Sequence, residues 1–300
     1  MRKALRGAVE FAMVASGLPV LGRRRRRGDT LVLAYHNVVP DGAEAFGDRS
    51  LHLPLSRLRQ QLAALEATHE VVSLDELETP ARTERPRAAI TFDDAYAGAL
   101  HLGVPAVLDA GFPVTIFVAP GLLGREAMWW DLLADPCRGL DAAVRAHALD
   151  GLRGEHEAIM AWAREQGLTV AMPAPHARIG TPDELRAVAR RPGVSIGLHT
   201  WAHPNMARLD HGEALAELVR TRDWLRENIA PARPWLAYPY GLFGEPAIAA
   251  ARAAGLARAF RVDGGWMRPA TGPSFAAPRS NVPAGLSEHG FVLRLAGLPV

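Results

Sequence analysis

From residue 31 onward, short unbroken apolar runs alternate with longer stretches of helical period. The runs at 31–36, 71–73, 88–92, 113–119, 194–199, 235–239 and 258–262 predict strands. Continuous rather than alternating apolarity is what strands of a parallel sheet need, because both faces are buried. The periodic stretches predict helices over 54–67, 95–110, 182–191, 210–229 and 245–254. Thr181-Pro182-Asp183-Glu184 reads as a capped helix start with proline at the first helical position. Strand and helix in alternation imply an α/β fold. The pattern does not separate a closed barrel from an open sheet.

The alternation is lost between Pro120 and Gly180. This stretch, about 121–180, reads as an insertion near the mouth of a site. It carries Met128-Trp129-Trp130-Asp131, helical patterns near 140–149 and 154–166, and a proline-rich segment at 171–176. Trp129 and Trp130 are expected to pack rather than to form a sugar platform. No internal repeat or glycine-rich phosphate loop is present; the glycines are scattered.

Chemistry gathers where two of the apolar runs end. Thr91-Phe92-Asp93-Asp94 closes one, and His199-Thr200-Trp201-Ala202-His203-Pro204 closes another. Two histidines and one carboxylate are a ligand set for a catalytic divalent metal that keeps one position open. The second carboxylate is then free to act as a base, which points to metal-assisted hydrolysis. Neighbouring residues on a strand point to opposite faces, so Asp93 and Asp94 can share a site only where the chain turns. His199 and His203 stand four apart, and one helical turn would bring both to one side. Either motif alone is ordinary: an Asp-Asp pair usually starts a solvated helix, and an HxxxH pair often lies on a surface face. Both together, each closing an apolar strand, are the informative coincidence.

These residues resemble known motifs. Thr91-Phe92-Asp93-Asp94 resembles the first motif of the polysaccharide deacetylases (the NodB-homology family, carbohydrate esterase family four). Ile196 through Pro204 resembles the second, and Trp235-Leu236-Ala237-Tyr238-Pro239-Tyr240-Gly241 is similar to the third. Leu33-Ala34-Tyr35-His36-Asn37-Val38 is similar to the opening strand of one branch. The likeness runs in the right order over roughly residues 30 to 283. It implies a distorted (β/α) barrel of about seven parallel strands, with the active site at their C-terminal ends.

The resemblance also implies roles. Asp94, His199 and His203 would bind a divalent metal, zinc first, with cobalt, nickel or iron as options. Asp93 would be the general base in removal of an N-acyl group from an amino sugar. Tyr240 would shape the pocket wall, with a backbone N–H near it stabilising the oxyanion, and Thr200 would brace the histidine loop. Three positions depart from the family pattern. Ala237 stands where an arginine often orients the base, which makes Arg279 in Ala277-Pro278-Arg279 the candidate replacement. The Leu-x-His that often supplies the acid is missing, since Leu286-Ser287-Glu288-His289 has the wrong spacing. His36, at the end of the first strand, is the candidate acid, since histidine as a residue type suits proton transfer near neutral pH. Ala95 replaces the glycine that usually follows the two aspartates, at an expected small cost.

Composition changes this picture little. A chain of 300 residues with 49% apolar and 22% charged side chains is ordinary for a folded domain. The net charge of +2 implies no strongly charged partner for the whole molecule. Cys137 is the only cysteine, which suits a reducing compartment and hence a cytoplasmic location. The N-terminus is distinctive: residues 8–21 are mostly apolar, and Arg23 to Arg27 follow. The larger charge block comes after the apolar run, unlike a secretory signal, and Glu10 and Pro19 break a run already too short to span a bilayer. Residues 1–28 are therefore expected to form a tail outside a catalytic domain of residues 29–300. That tail is either solvated or peripherally associated with an anionic membrane. Nucleic acid is not an expected partner, because no aromatic side chains interleave the arginines. The expected partner is a carbohydrate bearing N-acylated amino sugars. The alternatives are a deformylase or deacetylase of a lipid-linked sugar, and an inactive glycan-binding domain of the same fold.

Overall fold

The computed structural model describes residues 2–44, 46–79, 82–229, 232–268 and 274–299. The strands are β1 (Thr30–Tyr35), β2 (Asn37–Val39), β3 (His52–Pro54), β4 (Glu70–Val71), β5 (Arg87–Phe92), β6 (Val114–Val118), β7 (Val194–Leu198), β8 (Ala232–Ala237), β9 (Arg258–Phe260) and β10 (Ser280–Asn281). The main sheet has the order β10-β1-β5-β6-β7-β8-β9, with β4 beside the start of β5. Every pairing in it is parallel. The apolar runs therefore become strands at the expected places, within a few residues at each end.

Side-chain alternation along these strands sorts the core into two layers. Leu31, Leu33, Ile90, Phe92, Ile116, Val118, Ile196 and Leu198 pack with the helices. Val32, Ala89, Phe117, Ala237, Phe260 and Ala277 form a separate cluster inside the curve of the sheet. Each large apolar side chain so buried contributes about 1.5–3 kcal/mol.

The apolar pattern does not reveal β10, because it is only two residues long and polar. It is held by its neighbours on both sides. Ser280 pairs with Leu33 of β1, while Ala277 bridges to Phe260 and the Arg279 N–H donates to the Arg261 carbonyl at 3.1 Å. This one segment spans the gap between β9 and β1 and closes the sheet into a distorted (β/α) barrel.

The helices are α1 (Arg2–Ala15), α2 (Leu18–Arg25), α3 (Leu55–Thr68), α4 (Val104–Asp109), α5 (Trp129–Leu132), α6 (Ala142–Ala146), α7 (His156–Glu165), α8 (Pro182–Ala189), α9 (His211–Asn228), α10 (Glu245–Ala253) and α11 (Glu288–Arg294). The helix expected over 95–110 starts late, as a wide turn over Ala99–Gly103 that leads into α4. The reason is local: Asp94 and Ala95 have φ of 67° and 56°, which no right-handed helix admits. Thr181 and Glu184 form the expected capping box at α8. Residues 120–180 add α5, α6 and α7 but no strand of the main sheet.

Residues 2–15 and 18–25 are helical, and α1 lies along α11. Glu10 is buried there, accepting hydrogen bonds from Arg6 Nε at 2.7 Å and from the Ser287 hydroxyl. The Phe11 ring meets His289 edge-on at 5.4 Å.

Candidate metal centre and active site

Ala89 and Thr91 share the inner face of β5, and period two carries Asp93 to the same side just past the strand end. Asp93 is buried, and so is Arg279, which reaches it from the closing segment. Arg279 Nη1 donates to Asp93 Oδ1 at 2.7 Å and Nη2 to Oδ2 at 2.8 Å, with a further bond to the Thr91 hydroxyl at 3.1 Å. Burial pushes the Asp93 carboxyl up, but the charges of Arg279, His199 and His36 outweigh it and hold it below the usual carboxylate range.

The chain then turns left-handed at Asp94, which sends this second carboxylate toward the end of β7. There, Asp94 Oδ1 stands 3.4 Å from His199 Nε2 and 3.2 Å from His203 Nε2, and the two Nε2 atoms are 3.1 Å apart. The two histidines do not share a helical turn as their spacing suggests. Pro204 disfavours helical backbone at His203, and residues 199–203 form an irregular loop with Thr200 and His203 at φ of 64° and 59°. Thr200 braces that loop: its hydroxyl donates to the His199 carbonyl at 2.5 Å and accepts the His203 N–H at 3.1 Å. Among the described residues, six non-glycine residues have positive φ, and five of them lie in these two loops (Asp94, Ala95, Thr200, His203) or the turn after β8 (Tyr240). Strain concentrated in this way marks a functional site rather than scattered turns.

The three donor atoms suit a divalent metal. The His199 Nδ1 faces the Ala237 carbonyl at 2.7 Å, so it must carry the proton, and the Nε2 lone pair faces the centre. Asp94 Oδ1 has no hydrogen-bond partner among the described residues. With His203 deprotonated at Nε2, three acceptor atoms converge, and a cation answers all three at once. Ligand atoms about 2.0–2.2 Å from a tetrahedral ion lie about 3.3–3.6 Å from one another, a little wider than the 3.1–3.4 Å found. Burial raises the Asp94 pKa, but the two imidazoles beside it hold it well below the usual range. Burial likewise lowers both histidines; the carboxylates and the Ala237 carbonyl override it at His199, which is raised, but not at His203.

A comparison with protein families matches residues 81–259 to the family described as Polysaccharide deacetylase. The chain belongs to the polysaccharide deacetylase family. It is a hydrolase of carbon–nitrogen bonds. Solved structures give the same fold. The deacetylase PplD from Streptococcus pyogenes, in complex with acetate, is 16% identical with a TM-score of 0.62, covering 90% of this chain and 99% of that one. The de-N-acetylase from Aggregatibacter actinomycetemcomitans is 15% identical with a TM-score of 0.61, covering 89% and 99%. IcaB from Ammonifex degensii is 18% identical with a TM-score of 0.60, covering 90% and 97%. No curated protein matched the chain in sequence.

The departures of this deacetylase from its family's motifs now have a geometry. Ala237 leaves no guanidinium at the C-terminal end of β8, and Arg279 occupies the place beside Asp93 from the other side of the barrel closure. His289 does not line the cavity; it sits on α11 against Phe11. His36 does line it, together with Asp93, Asp94, His199 and His203, in a cavity of ≈ 470 Å³.

The aromatic wall of the deacetylase came only partly out of the sequence. The Tyr240 ring meets His203 edge-on at 4.5 Å, and the Trp130 ring lies 5.0 Å from it. Burial pushes the Tyr240 phenol upward, so it stays protonated, and its oxygen accepts from Trp129 Nε1 at 3.1 Å. Trp130 is buried but lines the cavity, so packing and wall are one role. Asp131 was missed as a support. Wholly buried, it accepts from the Tyr96 hydroxyl at 2.7 Å, His52 Nε2 at 2.9 Å and the Asp48 N–H at 3.0 Å. Tyr96 in turn accepts from Trp130 Nε1 at 2.8 Å. Glu217 was also missed: from α9 it accepts the Trp201 and Ala202 N–H groups at 2.8 and 2.9 Å and holds the histidine loop. The Trp-Trp-Asp triplet was the only signal for the first, and nothing local marked the second.

Proposed function

We propose that the protein is a divalent-metal-dependent N-deacetylase acting on the N-acetylated amino sugars of a glycan. One observation carries the reading: three buried donors of Asp94, His199 and His203 converge beside an Asp93 carboxylate that Arg279 keeps ionised. Those three residues would hold the metal, and zinc suits two imidazoles and a carboxylate with one position open. A bound ion supplies Lewis acidity toward a water and the acyl carbonyl.

The rest of the chemistry belongs to this chain's own side chains. Asp93 takes a proton from water as the water oxygen bonds to the acyl carbon. The carbonyl electron pair moves onto oxygen, where a backbone N–H near Tyr240 donates to it. The carbon–nitrogen bond then breaks as His36 gives a proton to the departing amine. Acetate and a free amino sugar result; Asp93 releases its proton to solvent, and His36 regains one. Tyr240 and Trp130 wall the cavity and exclude water around the histidine ligands.

The test is release of acetate and formate from a panel of N-acyl sugars and lipid-linked glycans by the purified protein, with and without chelator. Acetate release that chelator abolishes and zinc restores is expected. Turnover indifferent to chelator, or none on any N-acyl glycan in zinc-loaded protein, overturns the reading.

A further inference from the structure

The arginine run and its apolar neighbours take no part in the chemistry above. Among the described residues, nine large apolar side chains are exposed, and six of them lie on α1 and α2: Leu5, Val9, Phe11, Leu18, Val20 and Leu21. Leu5 is 67% exposed and Phe11 59%. The helices are not loose. Glu10 and the Ser287 hydroxyl tie α1 to the start of α11, and Gly22 of α2 approaches Ala296 so closely that a Cβ there would meet its carbonyl at 2.4 Å. An apolar patch that a fixed helix pair holds outward needs a partner surface.

Charge identifies that surface. Residues 1–28 carry Arg2, Lys3, Arg6 and Arg23 to Arg27 against the single carboxylate Glu10. Glu10 is turned inward. Arg24 and Arg25 are exposed, with no carboxylate partner among the described residues. Apolar side chains bordered by unpaired arginines match the interface of an anionic bilayer, where the chains enter the acyl boundary and the cations meet headgroups. The two helices bend by 70° at their junction, so they do not form one straight span.

A groove connects α1 to the edge of the active site. It is lined by Arg6, Arg49, Ser50, Leu286 and Arg294, and Ser50 lines the catalytic cavity as well. We propose that α1 and α2 dock this deacetylase on an anionic lipid surface and so present its cavity to glycan held at that surface. The inference rests on the deacetylase reading for what the cavity does there, but not for the docking itself.

The experiment is co-sedimentation of the full chain with vesicles of phosphatidylcholine, with and without phosphatidylglycerol. Binding is expected only to the anionic vesicles and is lost in high salt. Arg24→Gln with Arg25→Gln should weaken it about five-fold per arginine, and Val9→Ser with Leu21→Ser should abolish it, while circular dichroism shows all variants folded. Three outcomes overturn the docking: equal binding to neutral vesicles, retention through an alkaline carbonate wash as for an inserted span, or self-association without lipid that the same variants remove. Acetate release from a soluble N-acetyl glycan, measured on the same samples, separates the two readings. Vesicle binding without hydrolysis overturns the catalytic reading alone; hydrolysis without vesicle binding overturns the docking alone.

Discussion

Arg279 and Asp93, 186 residues apart in the chain, meet through two hydrogen bonds of 2.7 and 2.8 Å inside the barrel. A two-pronged grip of this kind holds a carboxylate ionised and fixes its orientation, which a point charge does less well. It does for Asp93 what a neighbouring arginine on β8 would do, from the opposite edge of the closed sheet.

Removing that grip leaves burial opposed only by the charges of His199 and His36, so the Asp93 pKa rises. The base is then protonated over more of the pH range, and the acid limb of the kcat/KM profile moves to higher pH. Arg279→Met should lose ~10²–10⁴-fold in turnover at neutral pH and recover part of it as pH rises. Arg279→Lys keeps a charge but not the paired geometry, and should lie between. An uncompensated buried carboxylate costs about 3–5 kcal/mol, so melting curves must show each variant folded at the assay temperature. An acid limb that does not move in Arg279→Met would show that Asp93 does not depend on it.

Zinc bound through Asp94, His199 and His203 stabilises only the folded chain, by about 4 kcal/mol when free zinc is a thousand times its Kd. Chelation should therefore lower the melting temperature as well as abolish activity. His203→Ala should lose most of the metal in elemental analysis and show no chelator-dependent melting shift. Asp93→Asn should keep its metal and lose turnover. Melting temperatures that ignore both zinc and chelator would count against the site.

His69 gives the fold a pH dependence separate from the active site. Burial, aided by the charge of Arg23, lowers its pKa from 6.5 to about 3. The folded state therefore resists protonating a group that the unfolded chain protonates freely. Its contribution to stability is complete above pH about 6.5 and is lost as pH falls from there toward 3, amounting to about 2 kcal/mol at pH 5. Urea midpoints should fall over that window in the parent protein. His69→Phe, which keeps a ring beside Trp266, should flatten this part of the curve. An equally steep decline in that variant would assign the effect to other groups.

Ala95→Gly should be close to neutral. A left-handed alanine costs about 1–2 kcal/mol, which glycine relieves. Against this stand the loss of a buried methyl, about 0.8 kcal/mol, and the greater freedom of glycine in the unfolded chain, about 0.4–1 kcal/mol. These offset, which accounts for alanine at a position where the family usually has glycine. A change beyond about 2 kcal/mol in the urea-derived stability would mean that the turn around Asp94 carries strain of another kind.

The sequence by itself determined the α/β alternation and the strand positions, and it singled out Asp94, His199 and His203 as a cluster beside Asp93. Strands buried on both faces must be apolar throughout, and a carboxylate or imidazole just past such a strand stands out against it. What the tertiary structure decided lies between elements distant in the chain. Arg279 was one candidate partner for Asp93, but only closure through β10 brings it there, and a two-residue polar strand leaves no periodic trace. The conformation of the histidine loop, and the support it takes from Thr200, Glu217 and Pro204, depend on backbone angles that spacing does not report. Asp131 and Tyr96 look unremarkable in sequence because the meaning of a buried polar group lies in its partners. For α1 and α2, the sequence showed apolar and basic residues together; only packing against α11 shows that Glu10 turns inward while Leu5, Val9 and Arg24 stay outside.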